Sequence, residues 1–300
     1  MALRPEGIIA ALVTPFTQDD ELDEAALRSL VRHLIESRIH CLAPGVATSE
    51  YVSLSTKERE RVISIVRDEA KGTIPVMSGV VSPGIKDAIE TIRQAKNIGV
   101  DGVMLVSPYY NVQATQEGIY SYYKAVAEKS DIPIMIYNIP YKTGVNITPE
   151  TVLKISSINN IIGIKECCRD ISQFGRLVRL VGDKISLCAG EDDMFLPEMM
   201  IGAKGTVCAS ANLIPETWVS MFESLGKGDL QNAIKLHKKV LPLLSVLYSE
   251  PNPGPLKDAL AMIGRPCGHV RPPLLPPTKS TREALRAQLS AFGFNLKVAS

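Results

Sequence analysis

Lys165 closes the run Ile161-Ile162-Gly163-Ile164-Lys165. A strand buried on both faces reads as a continuous Val/Ile/Leu run, and lysine is rarely buried without a partner. Desolvation disfavours the ammonium and pulls its pKa down. A buried strand-end lysine can therefore present a neutral amine, which attacks a carbonyl carbon and forms a Schiff base. The alternative is a lysine whose stem is buried and whose head reaches water.

Other residues able to do chemistry also stand at the ends of short apolar runs. Val13 is followed by Thr14-Pro15, and Ala43 leads to Gly45-Val46-Ala47-Thr48-Ser49-Glu50. Val106 is followed by Ser107-Pro108-Tyr109-Tyr110-Asn111, and Tyr137-Asn138-Ile139-Pro140 by Tyr141-Lys142-Thr143-Gly144. Ala189 precedes Gly190-Glu191-Asp192. A tyrosine hydroxyl such as that of Tyr137 can shuttle protons while a carbinolamine collapses. Hydroxyls and amides of the Val46–Glu50 loop suit a carboxylate. Glu166 alternates to the face opposite Lys165 and reads as structural, paired with a helix. Tyr109, Tyr110 and Tyr137 could each instead be packing or interface residues.

The elements that must position these residues are legible as alternating patterns. Strands are expected over Ile8–Val13, His40–Ala43, Ile74–Met77, Gly102–Val106, Ile132–Tyr137, Ile161–Lys165, Ile185–Ala189 and Gly205–Cys208. Helical patterns fill the gaps. Asp23 and Ser55 read as N-caps, Ser55 with Glu58 as a capping box. Pro149 follows Thr148 at a helix start. Eight strand–helix units at roughly thirty-residue spacing predict a (β/α)8 TIM barrel, whose active site lies at the C-terminal ends of the strands. A doubly wound sheet would need a Gly-rich phosphate loop after the first strand, and Thr14-Pro15-Phe16-Thr17 is not one. Beyond residue 227 the pattern is helical only, over Leu230–Tyr248, Pro255–Ile263 and Lys279–Phe292. The expected division is a catalytic barrel over residues 1–227 and a helical C-terminal extension over residues 228–300.

Composition narrows the function classes. The 300 residues carry 33 basic and 32 acidic side chains, a net charge of +1, with 45% hydrophobic content. That balance leaves no nucleic-acid footprint, and no apolar stretch is long enough to span a bilayer. The N-terminus lacks a signal-peptide pattern, so a cytoplasmic location is expected. The six cysteines form no C-x-x-C and match no zinc spacing. Cys41, Cys188 and Cys208 read as small core residues, and Cys167 or Cys168 as packing or pocket residues. His33 and His237 are expected at the surface. No metal is expected.

At these motifs the chain resembles the dihydrodipicolinate synthase / N-acetylneuraminate lyase family of class I aldolases. Tyr109-Tyr110-Asn111, Tyr137-Asn138-Ile139-Pro140, Gly163-Ile164-Lys165-Glu166 and Glu250-Pro251-Asn252-Pro253 all match family motifs. The resemblance runs nearly end to end. It implies a barrel with a helical extension, assembled as a homotetramer of two tight dimers, and no cofactor beyond the covalent Schiff base. It implies that Lys165 is the Schiff-base lysine and Tyr137 the proton shuttle. By the same resemblance Tyr110 completes the relay from the neighbouring subunit, and Gly190 and Val207 line the substrate pocket.

Two positions depart from the synthase pattern. The family's loop usually reads Gly-Thr-Thr-Gly-Glu; here Thr48 keeps the hydroxyl that holds the substrate carboxylate, but Ala47 replaces the threonine that bridges the two tyrosines. Lys142 stands where the synthase has an arginine for the second substrate's carboxylate, and so keeps the charge without the bidentate fork. The expected activity is a Schiff-base lyase on pyruvate or a related 2-oxo acid, cleaving or dehydrating a 2-oxo-3-deoxy sugar acid. The alternatives are condensation with aspartate semialdehyde, as in 4-hydroxy-tetrahydrodipicolinate synthase, and a non-catalytic barrel that binds a small acid.

Overall fold

The computed structural model describes residues 3–110 and 113–297; Asn111, one residue of the tyrosine motif, lies outside them. Eight strands follow one another: β1 Gly7–Ala11, β2 Cys41–Ala43, β3 Met77–Val80, β4 Gly102–Val106, β5 Ile134–Asn138, β6 Ile161–Glu166, β7 Ser186–Ala189 and β8 Gly205–Cys208. All pair in parallel in the order β2-β1-β8-β7-β6-β5-β4-β3. The ends meet where Leu42 bridges Val76 in parallel and its amide donates to the Pro75 carbonyl at 3.0 Å. The sheet is thus a nearly closed barrel with helices between its strands, a (β/α)8 TIM barrel followed by C-terminal helices. Closure excludes the open doubly wound sheet.

Side-chain alternation divides the core in two. Ile9, Ala11, Cys41, Ala43, Met77, Met104, Met135, Cys188 and Val207 fill the barrel interior. The opposite faces of the strands pack against the helices in one larger cluster. Cys208 belongs to that outer layer, and Cys41 and Cys188 to the inner one.

Local signals account for most helix boundaries. The Asp23 carboxylate accepts from the Ala26 amide, and Ser55 and Glu58 form the reciprocal capping box. Thr148 accepts from the Thr151 amide, with Pro149 at the first helical position. The extension contributes helices over Leu230–Leu247, Gly254–Met262 and Lys279–Phe292.

Three expectations need correction. The third strand lies at Met77–Val80, three residues beyond the apolar run at Ile74–Met77. Ser78 and Gly79 dilute its hydrophobic pattern, yet Gly79 is required there. A Cβ on it would come 2.0 Å from the Gly45 carbonyl oxygen, where the strand-2 loop crosses β3. Just after β5, Pro140–Thr143 forms one helical turn begun by its proline. His237 is buried rather than exposed, because it shares the inward stripe of its helix with Ala233, Val240 and Leu244; His33 is half-buried.

Candidate active site

The C-terminal rim of the barrel opens into a cavity of about 790 Å³. Its floor is set by strand register. Tyr137 on β5 pairs with Lys165 on β6, and Lys165 with Cys188 on β7. Tyr137 and Lys165 therefore point inward side by side. Lys165 is 6% exposed and Tyr137 2%. The Lys165 Nζ donates to the Tyr137 hydroxyl at 3.1 Å and lies 4.3 Å from the centre of its ring.

One residue further along, the register brings Asn138 beside Glu166 on the outer face. Asn138 Nδ2 reaches both Glu166 carboxylate oxygens, at 2.8 and 3.0 Å. The Cys168 amide and Gln173, on the helix Ile171–Val181, donate to the same carboxylate. Glu166 is thus a structural acid that ties β5 and β6 to a helix. It holds the strand ends on which Tyr137 and Lys165 stand.

Burial is the largest influence on the Lys165 amine and pushes its pKa down; ionised Tyr137, Cys167 and Glu191 oppose it, and together they outweigh it. Burial, however, raises the pKa of the Tyr137 phenol and, far more, that of the Cys167 thiol. Both groups are neutral near pH 7, so only Glu191 remains as an anion. With those two charges absent, burial is the largest influence left on the amine and pushes it down, opposed by the hydrogen bond to Tyr137 and by Glu191. The Tyr137 hydroxyl, still protonated, is available as an acid beside that amine.

The remaining residues singled out from the sequence divide into two groups. Ala47, Thr48, Lys142, Gly190 and Val207 all line the cavity with Lys165 and Tyr137. Ala47 and Thr48 sit in the short turn Ala47–Ser49 beneath the left-handed residue Glu50. That turn is held to the barrel by Ser49 Oγ donating to the Leu12 carbonyl at 2.7 Å and by Thr14 Oγ1 donating to the Ser49 carbonyl at 2.8 Å. Gly190 must be glycine: a Cβ there would lie 2.2 Å from Cys167 Sγ. Burial, then the charge of Lys165, lowers the pKa of Lys142. Tyr110 stands apart. It is 95% exposed, has φ of +72°, and does not line its own chain's cavity.

The cavity also uses residues that the sequence did not single out. Arg169, with φ of +58°, reaches from the β6 end to Glu191 at 3.2 Å and to Asp193 at 2.6 Å. Tyr141 donates to Glu191 at 2.9 Å across the mouth. Leu241, Leu244, Ser245 and Tyr248 bring the extension's first helix to the opposite wall. The leucines repeat at core spacing, so no sequence signal separates them from packing residues. Tyr109, by contrast, faces a second cavity of about 370 Å³.

Known proteins share this fold. The model of the dihydrodipicolinate synthetase family matches residues 4–292. The 4-hydroxy-tetrahydrodipicolinate synthase of Syntrophus aciditrophicus strain SB is 40% identical over 288 residues, which cover 96% of this chain and 98% of that protein. The solved dihydrodipicolinate synthase of Aquifex aeolicus superposes with a TM-score of 0.94 at 33% identity, covering 98% of this chain and all (100%) of that one. The chloride-inhibited dihydrodipicolinate synthase of Acinetobacter baumannii, solved in complex with pyruvate, matches with the same TM-score of 0.94, identity of 33% and coverage of 98% and 100%.

Proposed function

The chain belongs to the dihydrodipicolinate synthetase family, a family of lyase-type class I aldolases, and from that premise we propose that Lys165 condenses with pyruvate and that the resulting enamine adds to an aldehyde with an anionic tail, the condensation of a 4-hydroxy-tetrahydrodipicolinate synthase. The observation that carries the proposal is the Lys165 amine, buried at the cavity floor 3.1 Å from the Tyr137 hydroxyl. The relatives at 36–40% identity that bear the synthase name support the condensation over the cleavage expected from Ala47 and Lys142 alone.

The steps follow from the positions. Neutral Nζ attacks C2 of pyruvate, and the carbonyl oxygen gains a proton. Tyr137 protonates that hydroxyl as it leaves as water, giving the iminium. The iminium draws electrons from C3, which loses a proton to become the enamine carbon. C3 then bonds to the aldehyde carbon, whose oxygen takes up a proton. Attack on C2 by water or by the product's own amine releases Lys165. Thr48 and the neighbouring amides hold the pyruvate carboxylate, and Lys142 meets the tail of the second substrate. Ala47 offers no hydroxyl, so Tyr137 exchanges its proton with water in the cavity or with a tyrosine from another copy. Tyr110, turned outward on its left-handed backbone, is the residue to supply that tyrosine in a tight dimer, two of which form the tetramer.

A second reading rests on the acidic part of the cavity lining. Glu191, Asp192 and Asp193 all belong to it, and carboxylates accept hydrogens from hydroxyls. A polyhydroxy tail fits such a lining, as in cleavage or dehydration of a 2-oxo-3-deoxy sugar acid. One panel separates the readings. Condensation consumes pyruvate and aspartate semialdehyde together. Retro-aldol cleavage releases pyruvate from a sugar acid, and dehydration consumes the sugar acid with no pyruvate. Joint consumption of pyruvate and aspartate semialdehyde is the expected result. Its absence, with turnover of a sugar acid, overturns the first reading in favour of the second.

A further inference from the structure

A threonine hydroxyl has one hydrogen to give and lone pairs that receive. Whether Thr48 attracts or repels a carboxylate therefore depends on which side of the hydroxyl faces the cavity. The Thr48 oxygen already receives a hydrogen from Asn252 Nδ2 at 3.1 Å. Asn252 is half-buried, lines the same cavity, and comes from the loop that enters the extension's helix Gly254–Met262. It lies 204 residues from Thr48 in sequence. With that lone pair engaged, the Thr48 hydrogen has no acceptor among the described residues and is left for a ligand in the cavity.

The backbone of the turn does not depend on Asn252. Ser49 and Thr14 tie it to the barrel, and the buried Glu50 carboxylate is paired with Lys257 at 2.7 Å. What Asn252 adds is direction. We infer that Asn252 is a positioning residue for 2-oxo-acid binding, holding Thr48 as a hydrogen-bond donor toward the substrate carboxylate. The inference rests on the reading that Thr48 receives that carboxylate.

Asn252→Asp tests it with almost no change of shape. An aspartate accepts the Thr48 hydrogen, turns the threonine lone pairs toward the cavity, and adds a negative charge beside the site. Borohydride trapping at Lys165, followed against pyruvate concentration, reads binding. Steady-state rates read the KM and kcat split. The set comprises wild type, Asn252→Asp, Thr48→Val and the double variant. Hydrogen bonds to charged groups set the scale, so Asn252→Asp is expected to raise half-saturating pyruvate roughly 10- to 100-fold, with a much smaller change in kcat. In the Thr48→Val background its cost is expected to be clearly smaller, because the hydroxyl it reorients is gone and only the added charge remains. An unchanged half-saturation in Asn252→Asp overturns the inference. So does an equal loss with and without the Thr48 hydroxyl, which assigns the effect to charge alone. Failure of the wild type to trap at any pyruvate concentration overturns the Schiff-base reading instead.

Discussion

Lys257→Met removes one charge from the most deeply buried ion pair among the described residues. Lys257 Nζ lies 2.7 Å from Glu50 Oε1, with side-chain exposures of 2% and 0%. The amine also donates to the His269 carbonyl at 2.6 Å and sits 4.3 Å from the centre of the Phe16 ring. Glu50 follows the Ala47–Ser49 turn and holds φ of +56°, a conformation that costs a non-glycine residue roughly 1–2 kcal/mol. The pair helps to hold it there. Breaking a buried pair from one side costs about 3–5 kcal/mol, because the other charge stays buried alone. Glu50 would keep the Arg271 amide, which donates to Oε2 at 2.8 Å, and methionine fills nearly the same space beside Phe16. The expected loss is therefore near the lower end, about 3 kcal/mol.

For a chain of this length that corresponds to a drop in Tm of roughly 5 °C. It is measurable by scanning calorimetry and by urea unfolding at fixed protein concentration. Adding Glu50→Gln removes the stranded charge while keeping an acceptor for the Arg271 amide, and should recover much of the loss. A Lys257→Met variant that melts within a degree of wild type would falsify this reasoning. So would a double variant as unstable as the sum of the two singles.

Four further outcomes are expected. Tyr137→Phe should leave the fold intact and slow Schiff-base formation about 100- to 10,000-fold in stopped trapping assays, the range of general acid–base groups; wild-type speed would remove Tyr137 from the proton path. Ala47→Thr should restore a hydrogen bond near Tyr137 worth about 1 kcal/mol, and so quicken deuterium exchange at C3 of pyruvate about fivefold; slower exchange would mean that the methyl is required. Lys165→Ala and Tyr110→Phe, refolded together, should regain activity that neither variant has alone, because one chain supplies the lysine and the other the tyrosine; a mixture as inactive as its parts would place Tyr110 outside the relay. Arg271 holds the Glu58 carboxyl down to about 2. That stabilisation is complete above the unfolded carboxyl pKa of about 4.3 and is lost as pH falls toward 2. The gap in urea midpoint between wild type and Arg271→Leu should therefore narrow from pH 6 to pH 2.5; a constant gap would assign the effect to packing.

The Lys165–Tyr137 pair was legible because its signals are local. A lysine interrupts an apolar strand, a tyrosine ends the preceding one, and barrel topology makes consecutive strand ends neighbours. Glu166 was legible by alternation, and its carboxylate is tied to Asn138 and to Gln173 on a helix as its position implies. What escaped depends on contacts between distant segments. β3 hides because Gly79 is chosen for close approach to Gly45 rather than for strand propensity. Lys257 looks like an ordinary polar residue of a terminal extension, and only the fold sets it against Glu50; Asn252 stood out as part of a family motif, but its contact with Thr48 did not. The downward push of burial on Lys165 was legible, but the opposing neighbours Tyr137, Cys167 and Glu191 appear only in the fold.

The most direct test of the central claim is borohydride reduction in the presence of pyruvate, followed by peptide mass mapping. One reduced pyruvate per chain on the peptide containing Lys165, absent in Lys165→Arg, is the predicted result. Saturating pyruvate with no adduct, or an adduct on any other lysine, would contradict it.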